Sequence, residues 1–202
     1  MLSDWINPLY LNSVKDLQKL FASGEPFEHI VLTEFFTREK FNSVQKALAK
    51  QEFFEQESDL FSFQQTHDVT KLDDPVLTEF HQLFSSREFI QWIALLTRTR
   101  LGSTVDMSGF IYDNTDYLLP HDDRLEDRKI AYVINFSTLG EQDGGELELF
   151  TTNKGHAGTP AKRIPPQHNT LILFRVSAHS WHQVREVLTN TKRHTLGGWF
   201  HE

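Results

Sequence analysis

The sequence predicts a mainly β domain, a sandwich or barrel, with helices packed on one outer face. Three observations point there. The chain changes character near residue 100, from helical to extended patterning. About eight short strands can be read in the second half, which suits a sandwich or barrel better than βαβ units. Turn chemistry separates several of them, in Gly144-Gly145, in "NKGHAGTP" and in "IPPQHN".

The elements follow in order. "NSVKDLQKLFA" sets Val14, Leu17, Leu20 and Phe21 at helical spacing behind Ser13, a capping residue type. "HIVLTEFF" reads as a short strand. "TREKFNSVQKALAK" opens at Thr37, another capping type, and keeps Phe41, Val44, Ala47 and Leu48 on one stripe. "LFSFQQT" alternates only in part and is read as a second short strand. "SREFIQWIALLTRTR" repeats the helical pattern with Phe89, Trp92, Ile93 and Leu96. Strands are then expected near 104–112, 117–121, 129–137, 146–151, 161–164, 170–175, 180–185 and 192–200. No repeat, low-complexity run or linker divides the chain. The expectation is one domain over 1–202, helix-rich over about 1–100, with a β core over about 104–201.

Totals bound the function. The 202 residues carry 20 basic and 28 acidic side chains, a net charge of −8, which argues against broad binding to nucleic acid or anionic membranes. The 17 phenylalanines point to an aromatic core. Cysteine is absent, so disulfides, thiolate metal ligands and a cysteine nucleophile are excluded. The start "MLSDWINPLYLNS" lacks the basic region and apolar run of a signal peptide. No segment reaches the ~20 apolar residues of a spanning helix. The cytoplasm is the default address.

Chemistry enters at "YLLPHDDRLEDRKIAYVINFS". Strand alternation puts His121 and Asp123 on one face and Asp122 on the other. Such a pair is common by chance, and a first-row divalent metal needs a third ligand. Of the ten histidines, His29, His67, His81, His156, His168 and His201 have no suggestive context. "SAHSWHQVREV", after the apolar run "TLILFRV", offers His179 and His182, and spacing does not choose between them. In "KRHTLGGWFHE", Arg193, Thr195, Gly197 and Trp199 share one face of a strand and His194 takes the other. An arginine facing into a barrel needs an anionic partner, and no acidic residue of that strand face supplies one. A dianionic ligand would, with Thr195 adding a hydroxyl, while Gly197 and Gly198 leave room for entry. Two histidines, one carboxylate and open positions form the ligand set of non-haem iron(II) oxygenases, and the inward arginine suits 2-oxoglutarate.

With these residues in hand, the sequence resembles the iron(II)- and 2-oxoglutarate-dependent prolyl hydroxylases, closest to the ribosomal-protein prolyl hydroxylases. "PFEHIVLTEFF" and "QESDLFSFQQTHDV" resemble the family's N-terminal region. "IYDNTDYLLPHDDRLEDRKIAYVINFS", "GGELELF", "SWHQVREV" and "RHTLGGWFH" resemble its catalytic core. The resemblance implies a double-stranded β-helix, a jelly-roll, cupin-like barrel with the N-terminal helices on one face. It implies His121, Asp123 and His182 as metal ligands, with Arg193 on the distal carboxylate of 2-oxoglutarate and Tyr112 lining that site. Fe(2+), 2-oxoglutarate and O2 follow, with ascorbate as a candidate reductant. The reaction implied is hydroxylation of a prolyl residue in a protein, with a ribosomal protein or translation factor as first candidate, coupled to decarboxylation of 2-oxoglutarate to succinate.

Trp199 and Arg128 are candidate substrate contacts. The competing reading of Trp199 is a packed core aromatic, and that of Arg128 is a solvated side chain beside Glu126 and Asp127. Two departures stand out. Asn135 replaces a tyrosine usual in relatives that helps hold the distal carboxylate, and the second, degenerate barrel of the eukaryotic ribosomal-protein enzymes is not seen. The expected partner is a proline-containing protein or peptide, with neither membrane nor nucleic acid, and oligomeric state is left open. Two rivals remain at this stage: the same chemistry on a free amino acid or other small molecule, and a non-catalytic cupin-like metal-binding or sensor domain.

Overall fold

The computed structural model describes residues 1–125 and 127–202. Two short helices, α1 (Leu2–Trp5) and α2 (Pro8–Leu11), lead into α3 (Val14–Ala22). Then come β1 (His29–Thr33), α4 (Arg38–Leu48), the hairpin β2 (Phe54–Ser58) and β3 (Phe61–Gln65), a 3-10 turn at Val69–Lys71, α5 (Pro75–Ser85) and α6 (Arg87–Thr97). The second half holds β4 (Ser108–Tyr112), β5 (Tyr117–His121), β6 (Arg128–Asn135), β7 (Leu147–Asn153), β8 (His156–Ile164), β9 (Thr170–Arg175), β10 (His182–Val184) and β11 (Arg193–His201). No helix among the described residues is long and apolar enough to cross a membrane.

All strand pairs are antiparallel, along one path β1-β9-β6-β11-β4-β3-β5-β10-β7-β8, with β2 on the other side of β3. The path folds over at β3, which pairs with both β4 and β5. The two halves therefore face each other as a jelly roll. Ala131, Ile172 and Phe174 from β6 and β9 pack with Leu147, Leu149 and Ile164 from β7 and β8 to fill one end of the interior.

Period-two alternation divides the larger half into two environments. Ile130, Tyr132 and Ile134 of β6, Leu171 and Leu173 of β9, and Leu196 and Phe200 of β11 meet the helices in the main core. Phe84 of α5 joins the layers, with ring centroids 4.7 Å from Phe89, 4.9 Å from Tyr132 and 5.9 Å from Phe200. Helices thus cover one face of the larger half, as the sequence predicts, and the opposite face lines the barrel.

Several local expectations change. Ser13 and Thr37 stand at N-cap positions, but neither side chain caps its helix: Ser13 Oγ donates to the Leu9 carbonyl and Thr37 Oγ1 to that of Asp4. Leu20, expected on the apolar stripe, is exposed. The expected loop "NKGHAGTP" is mostly strand, because Lys154 and Gly155 take left-handed backbone and close a tight β7–β8 hairpin. Pro160 is tolerated there because β8 is an edge strand.

Helix α5 is absent from the sequence reading, though its signals are present. Asp74 Oδ1 accepts from the N–H groups of Val76 and Leu77, Pro75 opens the helix, and Leu77, Phe80, Leu83 and Phe84 are buried. Asp74→Ala is expected to lower stability by about 1 kcal/mol with the fold unchanged, measurable by urea titration.

Candidate active site

The barrel encloses a cavity of about 390 Å³, within the range of small-molecule sites. The way β5 ends determines what reaches it. His121 lies opposite His182, and Leu118 opposite Val184, so three steps on β5 face two on β10. That is a β-bulge, and it re-aims the strand. Leu118 and His121 both line the cavity, while Leu119 between them is exposed.

Strand alternation predicts that His121 and Asp123 converge. They do, for a different reason. The strand stops at His121, and Asp123 has φ of 62°, a left-handed conformation that a non-glycine residue adopts at a cost. Ser180 Oγ donates to the Asp122 carbonyl and helps fix the turn, and Asp122 itself pairs with Arg124 at 2.8 Å, outside the site.

His121, Asp123 and His182 come together with ligand atoms all within 4.8 Å of one another. Each histidine Nε2 lies 3.4 Å from a different oxygen of Asp123. The other ring nitrogens are tied to backbone carbonyls, His121 Nδ1 to Leu119 at 2.9 Å and His182 Nδ1 to Ser180 at 2.7 Å. Those bonds put the proton on Nδ1 and leave Nε2 with a free lone pair, as a metal-ligating imidazole requires. His179 lies in the Ser177–Ser180 turn, exposed and away from the cavity, which resolves the pair left open by spacing.

Burial and mutual fields set the protonation. Burial alone would raise Asp123, yet the fields of His182 and His121 hold it well below the usual carboxylate range. Burial and the neighbouring His121 lower His182 to about 4. Burial would lower His121 too, but Asp123 outweighs it and raises that group. The donor set is two imidazoles and one carboxylate on one side of a cavity, which fits a divalent first-row metal with open positions.

On β11, Arg193, Thr195, Gly197 and Trp199 all line the cavity, and His194 does not. Arg193 is 2% exposed, makes no side-chain hydrogen bond among the described residues, and has a buried, unpartnered Nε. Its guanidinium lies 5.0 Å from the ring centroid of Tyr112, its cross-strand partner. Burial, opposed by that guanidinium, pushes Tyr112 up to about 12, so it remains a neutral O–H donor. Asn135 sits opposite Thr195 and Thr170 on β6, buried, with both amide atoms unpartnered. It follows Val133, a cavity residue, on the same face of β6, and Thr195 directly opposite it lines the cavity. Gly197 lines the cavity as expected. Gly198 has a further reason to lack a side chain: a Cβ there would collide with the Asp106 carbonyl.

Arg128 and Trp199 sit together at the cavity, the guanidinium carbon 3.3 Å from the indole ring centroid. This places Arg128 half-buried on an aromatic face rather than free in solvent. Glu126, set beside it in the sequence reading, lies outside the described residues. The Trp199 indole N–H is directed at Asp123 and helps keep it ionised, though the contact falls outside normal hydrogen-bond geometry. Sequence reasoning missed the rest of the wall. Phe61, Phe63 and Gln65 of β3 line the cavity with Phe110 and Val184. The alternation in "LFSFQQT" was the available signal for the first three.

Comparison with known proteins agrees with this geometry. Residues 107–201 match the 2OG-Fe(II) oxygenase superfamily. The chain is 35% identical over 181 residues to prolyl 3-hydroxylase OGFOD1 of Mus musculus, covering 88% of this chain and 33% of that protein. It is 36% identical over 163 residues to prolyl 3,4-dihydroxylase OGFOD1 of Ostreococcus tauri, covering 72% of this chain and 32% of that one. The chain thus spans about a third of the length of these curated relatives. In fold it is similar to a Pseudomonas putida prolyl-4-hydroxylase, with a TM-score of 0.74 at 14% identity over 92% of this chain and 98% of that one. The jelly roll is a double-stranded β-helix, and the part of it at residues 107–201, just under half of the chain, is what matches the 2OG-Fe(II) oxygenase superfamily.

Proposed function

We propose that this chain is an iron(II)- and 2-oxoglutarate-dependent dioxygenase that hydroxylates a prolyl residue in a protein substrate. One observation carries the reading: two Nε2 atoms and a carboxylate converge in a cavity that also holds a buried arginine with no anionic partner among the described residues. His121, Asp123 and His182 would hold the iron. Bound iron with 2-oxoglutarate and O2 supplies oxidative decarboxylation to succinate and transfer of one oxygen atom to a substrate carbon.

The chain's own residues do the placing. Leu119 and Ser180 carbonyls orient the two imidazoles, and Asp123 stays ionised between them. The Arg193 guanidinium receives the far carboxylate, with the Thr195 hydroxyl and the neutral Tyr112 O–H beside it. Desolvation in this buried end strengthens that recognition. The rest of the wall is largely apolar, with Phe61, Phe63, Phe110, Val184 and Trp199 offering contact to an uncharged ring, and Gln65 and Arg128 as polar members. A prolyl ring carries no polar group of its own to desolvate, so the aromatic part of this wall suits it.

The test is peptide mass spectrometry of cell extract incubated with iron(II), 2-oxoglutarate and active protein, against a His121→Ala control. Ribosomal proteins and translation factors are the first places to look, on the sequence's resemblance to the ribosomal-protein prolyl hydroxylases. A proline that gains one oxygen only with active protein is the expected result. Oxidation confined to small metabolites would replace the protein substrate with a small one. No succinate with either class of substrate would remove the enzyme reading.

A further inference from the structure

The β2–β3 hairpin stands at the rim of the cavity, and its outer strand is bare. Among the described residues β2 pairs only with β3, and all five of its residues are exposed. Its outer edge therefore presents unpaired backbone N–H and C=O groups, a template for an added strand. The register is Phe54 opposite Gln65, Gln56 opposite Phe63 and Ser58 opposite Phe61. Directly opposed residues share a face, and those three β3 residues line the cavity. Phe54, Gln56 and Ser58 thus face the cavity side, uncharged, and Glu55 and Glu57 face the other side. Glu52 and Asp59 flank the strand, exposed. None of these four carboxylates has an ion pair among the described residues.

We propose that the free edge of β2 docks an extended segment of the protein substrate by strand addition, with lysine or arginine at alternate positions and uncharged residues between them. The inference rests on the proposed prolyl hydroxylation for its purpose and names the chemistry of the substrate. Backbone hydrogen bonds to β2 supply register, and the alternate cations meet Glu55 and Glu57. A second copy of this chain is the wrong occupant. Antiparallel pairing of two β2 strands about Gln56 would set Glu55 against Glu57 twice, and like charges directly opposed are destabilising.

Geometry adds a spacing. An added strand lies about 10 Å from β3, two strand separations, and extended chain covers that in about three residues. The target proline therefore sits at least about three residues beyond the docked stretch.

The probe is a fluorescein-labelled peptide, Lys-Thr-Lys-Thr-Lys followed by three glycines and a proline, titrated by anisotropy into the full chain without metal at low salt. Binding is expected to weaken at least tenfold in Glu55→Lys/Glu57→Lys, which corresponds to about 1.4 kcal/mol. It should change less than twofold in Asp16→Lys/Glu39→Lys, the same charge change on the helical side. Equal loss in both variants would mean diffuse attraction by an acidic protein and would overturn the proposal, as would no loss in the first or no binding to the wild type. A dimer in sedimentation that Glu55→Lys/Glu57→Lys abolishes would assign the edge to a second copy and also overturn it. Because binding is read without iron, failure of the enzyme reading would appear separately, as absent succinate. The variant should keep wild-type uncoupled 2-oxoglutarate decarboxylation, since neither glutamate touches the cavity.

Discussion

His182→Ala is expected to abolish iron binding and turnover together. The residue supplies one of three converging donors, and two donors on a bulged strand end and its turn do not make the facial set that holds a first-row metal. Loss should exceed 100-fold in metal affinity, since altering only the groups that orient a ligand costs about 10–100-fold. His182 is 5% exposed and its ring centroid lies 4.6 Å from that of Phe174, so alanine also opens a void. His182→Gln fills that space and separates the two effects. If titration calorimetry finds both variants lose the metal while circular dichroism shows a folded barrel, the ligand role stands. Wild-type affinity in either variant would remove it.

The second large effect concerns Arg193 and has two opposite parts. Arg193→Met should lower affinity for 2-oxoglutarate by at least about 100-fold, because a buried guanidinium facing a carboxylate is worth several kcal/mol. Iron binding should remain near wild type. The same change should leave the free protein equally stable or more stable, by about 1 kcal/mol, since it removes a desolvated charge that has no ion pair among the described residues and an unpartnered Nε. A fold held partly by Arg193 would instead lose stability, and an Arg193 unrelated to the diacid would leave its affinity unchanged. Thermal melts and cosubstrate titration on one variant decide between these accounts.

Much of this site is legible because strands have a period of two. Arg193, Thr195, Gly197 and Trp199 reach one cavity, as their spacing predicts. The histidine pair in "SAHSWHQV" is not resolved by that rule, since the choice depends on where β10 begins, at His182, after a turn that leaves His179 outside. Strand alternation predicts the convergence of His121 and Asp123, but the geometry that produces it is different. A bulge before His121 and a left-handed Asp123 replace the straight strand, and neither is written in a hydrophobic pattern. In the first half, α4 and α6 carry full apolar stripes and were legible. Only β3 of the β2–β3 hairpin is legible, because β2 buries nothing and so carries no alternation to read. Asn135 could be identified by position, yet its burial opposite Thr195 and Thr170 comes from the β6–β11 and β6–β9 registers, which sequence does not show.

An anaerobic titration of iron(II) and then 2-oxoglutarate into the purified chain, followed by the visible charge-transfer absorption of a chelated 2-oxo acid, tests the central claim most directly. One equivalent of iron should bind and the band should grow to saturation with 2-oxoglutarate, failing in His182→Gln for want of metal and in Arg193→Met for want of cosubstrate. A wild-type protein that binds no iron, or binds it and shows no band at millimolar 2-oxoglutarate, would contradict the account.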